Sequence, residues 1–366
     1  MGYPTHEQER RYLRSKIPQT NYLTETSTSN VANFKEFLVK DKNLTDQKVL
    51  TEDNKDESTG RHQATDEYKT TADTMVTKEL AISAEEVGRD LLLATGSVAT
   101  TQPDAINAAA VKRHAFKMQD LAVSKQAPAM TLIEFVGSVI NRLIPSYVVE
   151  DWGLKGEGTS RLTSSMGLHG SGLIVEPSGL DITDVDDVVL TNLHPFTHSM
   201  VHLVVADSVS LANEEDFSAD GNYLASWSAN LKKKLLLDEG YIPGAARYLV
   251  DGDETSGAVR TECLIESYEW SMDFQARLLA GSTALAAVRS KKKLDIAIDI
   301  IGGQIGATAF NYKLSIHAPR VSYETVEIPS GNGMFCVAIK PKIFFDTASS
   351  KDVEIILIND VASYTV

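Results

Sequence analysis

Apolar and polar residues alternate along much of this chain, most clearly in its second half. Period two predicts half-buried strands, because successive side chains of a strand point to opposite faces. Asp295-Ile296-Ala297-Ile298-Asp299-Ile300 and Glu354-Ile355-Ile356-Leu357-Ile358-Asn359 are the clearest runs. Strands are predicted over 294–301, 307–317, 321–328, 334–345 and 353–358, separated by turn residues. Earlier strands are predicted at 34–40, 69–82, 112–123, 131–149, 161–168, 198–205, 223–237 and 258–270. A long polar stretch over 45–68 reads as a functional or disordered loop, and a Gly/Asp-rich loop is predicted over 238–257.

Two short stretches break the alternation. Ser83, with Glu86 three residues on, has the form of a capping box. Val87, Leu91 and Leu92 supply an apolar stripe and Gly96 a left-handed end, so a helix is predicted over 84–95. A second helix is predicted over 272–280, where Arg277-Leu278-Leu279-Ala280-Gly281 resembles Arg89-Asp90-Leu91-Leu92-Leu93-Ala94-Thr95-Gly96. The order strand, polar loop, strand, helix, further strands thus occurs twice, which points to internal duplication. The predicted fold class is mainly β: two tandem β-sandwich or partial-barrel modules, each flanked by one short α-helix. The expected divisions are a polar N-terminal arm over 1–32, a first domain over 33–178 and a second over 184–366.

Composition agrees with two globular units. The chain has 366 residues, 43% apolar and 23% charged. A formal net charge of −15 argues against a protein that grips nucleic acid by neutralising phosphates. Cys263 and Cys336 stand in no metal-type spacing and read as buried thiols. Residues 1–16 lack an apolar signal region, and His6 stands where a myristoylation motif needs Ser or Thr. No apolar run is long enough to span a bilayer. Asn43-Leu44-Thr45 has the form of a glycosylation site, without a secretory route to use it.

Other constellations have a bland reading that outweighs the chemical one. His194, His198 and His202 would stack on one helical face as metal ligands, but Pro195 and the strand-like Val201–Val205 favour ordinary strand histidines. Gly167–Gly172 and Gly302–Gly306 resemble phosphate loops but lack a following helix and a Gly-Lys-Ser/Thr sequence, so turn glycines are expected. Lys232–Lys234 and Lys291–Lys293 read as solvated faces or as charges meeting the acidic loops at 52–57 and 251–254. Asp181, Asp184, Asp186 and Asp187 lack the glycine and glutamate of a calcium loop and read as a linker. No catalytic, cofactor-binding or metal residue is assigned, and no enzyme is expected.

The order of elements resembles the tail tube proteins of long-tailed bacteriophages, which are similar to the tubes of contractile tails and of type VI secretion. The carriers are the loop 45–68, the strand 69–82, the capped helix 84–95 and the strand 112–123, followed by Val136-Gly137-Ser138-Val139-Ile140-Asn141-Arg142-Leu143 and by Arg161–Gly170. The second half supplies the loop 238–257, the strand 258–270, the helix 272–280 and the closing run to Ile358-Asn359. The resemblance implies a major tail tube subunit, a virion structural protein assembled in the host cytoplasm. It implies a ring of three two-module subunits, or of six, stacked helically around a lumen through which double-stranded DNA passes. Partners would be further copies, the tape measure and the tail terminator, with no membrane. An acidic lumen would let DNA pass, the loops and the arm would mediate stacking, and the helices would brace the barrel's outside. Alternatives are another tail or neck component, a contractile-system tube, or a β-sandwich binding module.

Overall fold

The computed structural model describes residues 10–365 apart from 20, 23, 41–42, 54–66, 178, 191–192, 208–209, 217–222, 241–247, 252–253, 278–292 and 328–335. The first half contains β1 (Arg10–Ser15), β2 (Phe34–Glu36), β3 (Asp46–Asp53), β4 (Glu67–Ala81), the helix α1 (Val87–Thr95), β5 (Gly96–Thr101), β6 (Lys112–Met118), β7 (Ala129–Val136), β8 (Ile140–Glu157) and β9 (Thr163–His169). The second contains β10 (Val201–Asp207), β11 (Ser210–Asp216), β12 (Tyr223–Leu236), β13 (Tyr248–Asp251), β14 (Glu254–Ala258), β15 (Leu264–Arg277), β16 (Leu294–Gln304), β17 (Asn311–Glu327), β18 (Cys336–Ile343) and β19 (Glu354–Asn359). The fold is mainly β, as the alternation predicts. In β16, Leu294, Ile296, Ile298 and Ile300 are buried while Asp295, Ala297 and Asp299 are partly exposed.

The same strand order occurs in both halves. The first runs β3-β4-β9-β8-β7-β1 and the second β12-β15-β18-β17-β16-β10, every pair antiparallel. The two long strands each serve two sheets. β8 pairs first with β7 and then with β9, turning near Ser146, whose φ is +69. β17 pairs first with β16 and β19 and then with β18, changing partners beside Pro319. Strands that pass between sheets at such bends make the corners of a sandwich.

The halves are not separated at 178–184. β8 pairs with β12, and β6 pairs with β19, so strands from both sides of the expected boundary lie hydrogen-bonded together. One buried cluster runs from Tyr12 to Tyr364. A smaller one holds Leu13, Phe34, Ile133 and Phe135 under Val185 and Val188 of the 3-10 turn Ile182–Val188. Every residue of α1 is buried, so this helix is enclosed by the rest of the chain.

Several expectations are corrected. Met272–Arg277 of the second predicted helix belong to β15, because Met272, Phe274 and Ala276 point inward while Asp273 and Gln275 point out. That period of two is held by pairing to β12 and β18. Residues 278–280 lie outside the described residues. The capping box does not form: α1 starts at Val87, and the Ser83 hydroxyl is buried with no hydrogen-bond partner among the described residues. Glu86 turns instead to Arg14, 2.8 Å away, and to Arg89. The arm predicted over 1–32 is, from Arg10 to Ser15, an internal strand paired with β2 and β7. Residues 1–9 lie outside the described residues. Within the predicted loop 45–68, residues 46–53 form β3 and 67–68 begin β4, paired antiparallel, while 54–66 lie outside the described residues.

The helix end behaves as its sequence requires. Gly96 has φ +84 and its N–H donates to the Leu92 carbonyl. A Cβ there would stand 2.2 Å from Gln119 Oε1, and that side chain is held by donating to the Ser124 and Gln126 carbonyls. Gly96→Ala is therefore expected to cost about 1–2 kcal/mol. Urea unfolding with an unchanged slope checks this, and a loss under about 0.5 kcal/mol would contradict it.

Candidate assembly surface

The larger sheet runs β3-β4-β9-β8-β12-β15-β18-β17, four strands from each half. Its middle is the β8–β12 junction, in register from Glu157↔Ser226 to Asp151↔Lys232. The counterparts of these two strands stand at the sheet's ends. β17 beyond Val321 corresponds to β8 and pairs there with β18 alone among the described residues. β3 corresponds to β12 and pairs with β4 alone among the described strands. The first edge continues along β4 where Val39 bridges Leu80 and the Lys40 N–H donates to the Glu79 carbonyl at 2.7 Å. A sheet that ends in open strands offers a template for pairing with another chain.

One face of this sheet is turned to solvent and polar. Its registers align Ala81, Thr163, Lys155, Ser228 and Asp273 in one row, with Lys340 one step beyond the Phe274↔Ile339 pair. The next row holds Glu79, Ser165, Gly153, Asn230 and Ser271, and the third Thr77, Gly167, Asp151, Lys232 and Glu269. Carboxylates and lysines alternate between small hydroxyl and glycine positions. Burial, with Glu150 beside it, raises the pKa of Asp151.

The opposite face of β12 holds an ammonium the alternation marks as out of place. Lys233 lies between Leu231 and Leu235 on the inward side and is fully buried. Its Nζ is 3.4 Å from the Leu93 carbonyl at the end of α1. Burial lowers its pKa from 10.5 to about 7. Lys78 repeats the pattern between Val76 and Leu80, but pairs with buried Glu134 at 3.4 Å. Lys233, expected with Lys232 and Lys234 on a solvated face, is thus corrected to the interior, where burial between Leu231 and Leu235 leaves it no solvent; Lys78 and the Arg14–Asp90 pair are inward charges that the alternation does not single out.

The structure disperses the other candidates. His194 Nδ1 is 2.5 Å from Glu85 and its ring stacks on Tyr312 at 4.1 Å. His198 is buried and bonds the Leu224 carbonyl through Nε2 at 3.0 Å. His202 stands in β10 opposite Asp299. No group of three possible metal ligands gathers among the described residues. Gly167 lies in β9 and Gly172 turns the chain with φ +93, while Gly302–Gly306 ends β16 and enters the next turn. Lys232 and Lys234 point outward, Lys234 at 2.6 Å from Glu266. Lys293 lies over the Phe344 ring at 3.7 Å, and Lys291 and Lys292 fall outside the described residues. Asp181 and Asp184 do form a capping box, at the 3-10 turn Ile182–Val188, and Asp186 ion-pairs with Arg11. The stretch 238–257 contains a 3-10 turn at Asp238–Gly240, β13 and most of β14. Cys263 is buried and free. No helix among the described residues is long and apolar enough to cross a membrane. Comparison with protein-family models and with curated proteins finds no match.

Proposed function

We propose that this chain is a virion structural protein, the major tail tube subunit of a long-tailed bacteriophage. Copies join edge to edge, β17 of one to the β3 edge of the next, as β8 joins β12 within each chain. The observation that carries this is the internal junction, which already unites two sheets of the same strand order through the corresponding strands. Two unlike edges on one chain make a heterologous contact that generates a ring when the rotation closes. Two repeats per chain favour three copies in that ring over six. The polar face then lines the lumen, and its mixed charges and hydroxyls offer DNA phosphates no continuous basic track to grip. The lining is thus charge-balanced rather than acidic. Tape measure and terminator proteins would be the other partners, the mature location the virion tail, and no catalytic role is assigned.

Negative-stain electron microscopy of the purified chain at high concentration tests this. Annuli or tubes with a central hole and threefold or pseudo-sixfold symmetry are expected. Small featureless particles at every concentration and salt would overturn it.

A further inference from the structure

One buried pair sets an amine against a carboxyl group with both closed off from solvent. Lys78 of β4 and Glu134 of β7 have side chains 0% exposed, and Nζ lies 3.4 Å from Oε1. β4 belongs to the larger sheet, whereas β7 pairs with β1 and with the part of β8 before the bend at Ser146. The pair therefore bridges the interior between the two sheets.

The neighbours hold both groups in place. The Thr45 N–H donates to both carboxylate oxygens of Glu134 at 3.1 Å, and its hydroxyl donates to Oε1 at 3.0 Å. The Tyr147 hydroxyl donates in turn to Thr45 Oγ1 at 2.7 Å, and burial raises its pKa, so the phenol keeps the proton it donates. Lys78 Nζ donates to the Asn43 carbonyl and lies over the Tyr12 ring at 4.1 Å. Tyr12 stands directly opposite Glu134 in the β1–β7 ladder, so its ring roofs the site.

This setting favours a neutral product. Two buried ions carry a desolvation penalty that an amide made from the same atoms does not. Positioned reactants also behave as if at very high concentration. Other pairs lack one requirement. Lys313–Asp299 and Lys351–Glu354 are closer, at 2.7 and 2.8 Å, but every one of these side chains is at least 20% exposed, so water solvates the ions. Arg14 is buried with Glu86 and Asp90, but a guanidinium does not give up its proton to become a nucleophile.

We propose that Lys78 and Glu134 condense into an isopeptide bond, formed by the fold itself, that ties the two sheets together covalently. One proton passes from Nζ to the carboxylate, leaving a neutral amine and a neutral acid. The Nζ lone pair attacks Cδ and forms the N–C bond. The Thr45 N–H and Oγ1–H face the oxygen on which negative charge develops, as oxyanion donors do. A second proton passes from Nζ to the hydroxyl oxygen, the C–O bond breaks and water leaves. The three hydrogens of the ammonium end as one amide N–H and two in the water, so no oxidant or further reactant takes part. The bond is internal to one chain and does not depend on the assembly proposed above.

Mass spectrometry of the full, unaltered chain tests this. The folded protein is expected to be lighter than its sequence by one water. Trypsin should then fail to cut after Lys78 and should release residues 70–89 joined to residues 126–142. Lys78→Arg keeps a cation beside Glu134 but supplies no nucleophile, so it should keep its full mass. Thr45→Val removes one oxyanion donor and should form the bond about a hundredfold more slowly, read as the mass of newly made chain over time. A folded, unaltered chain that keeps its full mass after days, with the two peptides released separately, overturns the proposal. Loss of one water that persists in Lys78→Arg overturns it as well, because the bond would then join other residues.

Discussion

Arg14→Ala should lose about 3–5 kcal/mol of stability, the cost typical of removing one partner from a buried ionic group. Arg14 is 1% exposed, and its guanidinium lies 2.8 Å from Glu86, bonds Asp90 directly and covers the Phe37 ring at 4.8 Å. Burial opposes its charge, but Asp90 and Glu86 outweigh this and raise its pKa. The substitution leaves two buried carboxylates with Arg89 as their remaining cation. It also cuts the tie between β1 and the start of α1. A midpoint shift in urea unfolding worth less than about 1 kcal/mol at constant slope would show that water replaces the guanidinium and that the group is not closed.

Lys233→Met should act in the opposite direction. Holding an ammonium's pKa at about 7 instead of 10.5 corresponds to about 5 kcal/mol of stability forgone near neutral pH. Methionine fills the same volume without the charge. It abandons the Leu93 carbonyl, but that bond is long at 3.4 Å and worth only about 1 kcal/mol. The net gain should be about 2–4 kcal/mol at pH 7. The sign with pH follows from proton counts. Between about pH 7 and 10.5 the unfolded chain keeps a proton on Lys233 that the folded chain has released, so stability rises with pH across that window. Below pH 7 both states hold the proton and this contribution is level. Above pH 10 the buried Tyr22, Tyr147 and Tyr364, whose pKa values burial raises, keep protons that the unfolded chain loses, and stability falls. The methionine variant should lose the rise and keep the fall. A parallel rise in both proteins would assign it to another group.

The strands with strict alternation, β16 and β19, were legible because burial on one face leaves no other solution for their isoleucines. Boundaries slipped where tertiary pairing overruled local signals. The predicted strands at 307–317 and 321–328 are one strand, because Pro319 sits where β17 exchanges partners and needs no ladder donor there. The predicted extended run 131–149 is two strands, split by a turn at Gly137 with φ +53. β1 is hidden by its arginines, of which Arg14 is buried against Glu86 and Asp90 more than seventy residues away. The second helix was inferred from the string Arg-Leu-Leu-Ala-Gly, although its first half alternates with period two. Of the candidate surface, the polar loops were visible in sequence. The edges were not, since an edge is defined by the strand that is missing beside it.

Backbone hydrogen exchange at those edges is the most direct measurement. The outward-facing amides among residues 46–49 and 322–327, those that do not donate to β4 or β18, should exchange rapidly in dilute chains and become at least about a hundredfold slower when the chain is concentrated, as open edges acquire ladder partners. The β8–β12 junction, already paired, should be slow in both states. Edge amides that exchange at the same rate dilute and concentrated would mean that copies do not join through β3 and β17, and the ring would have no seam.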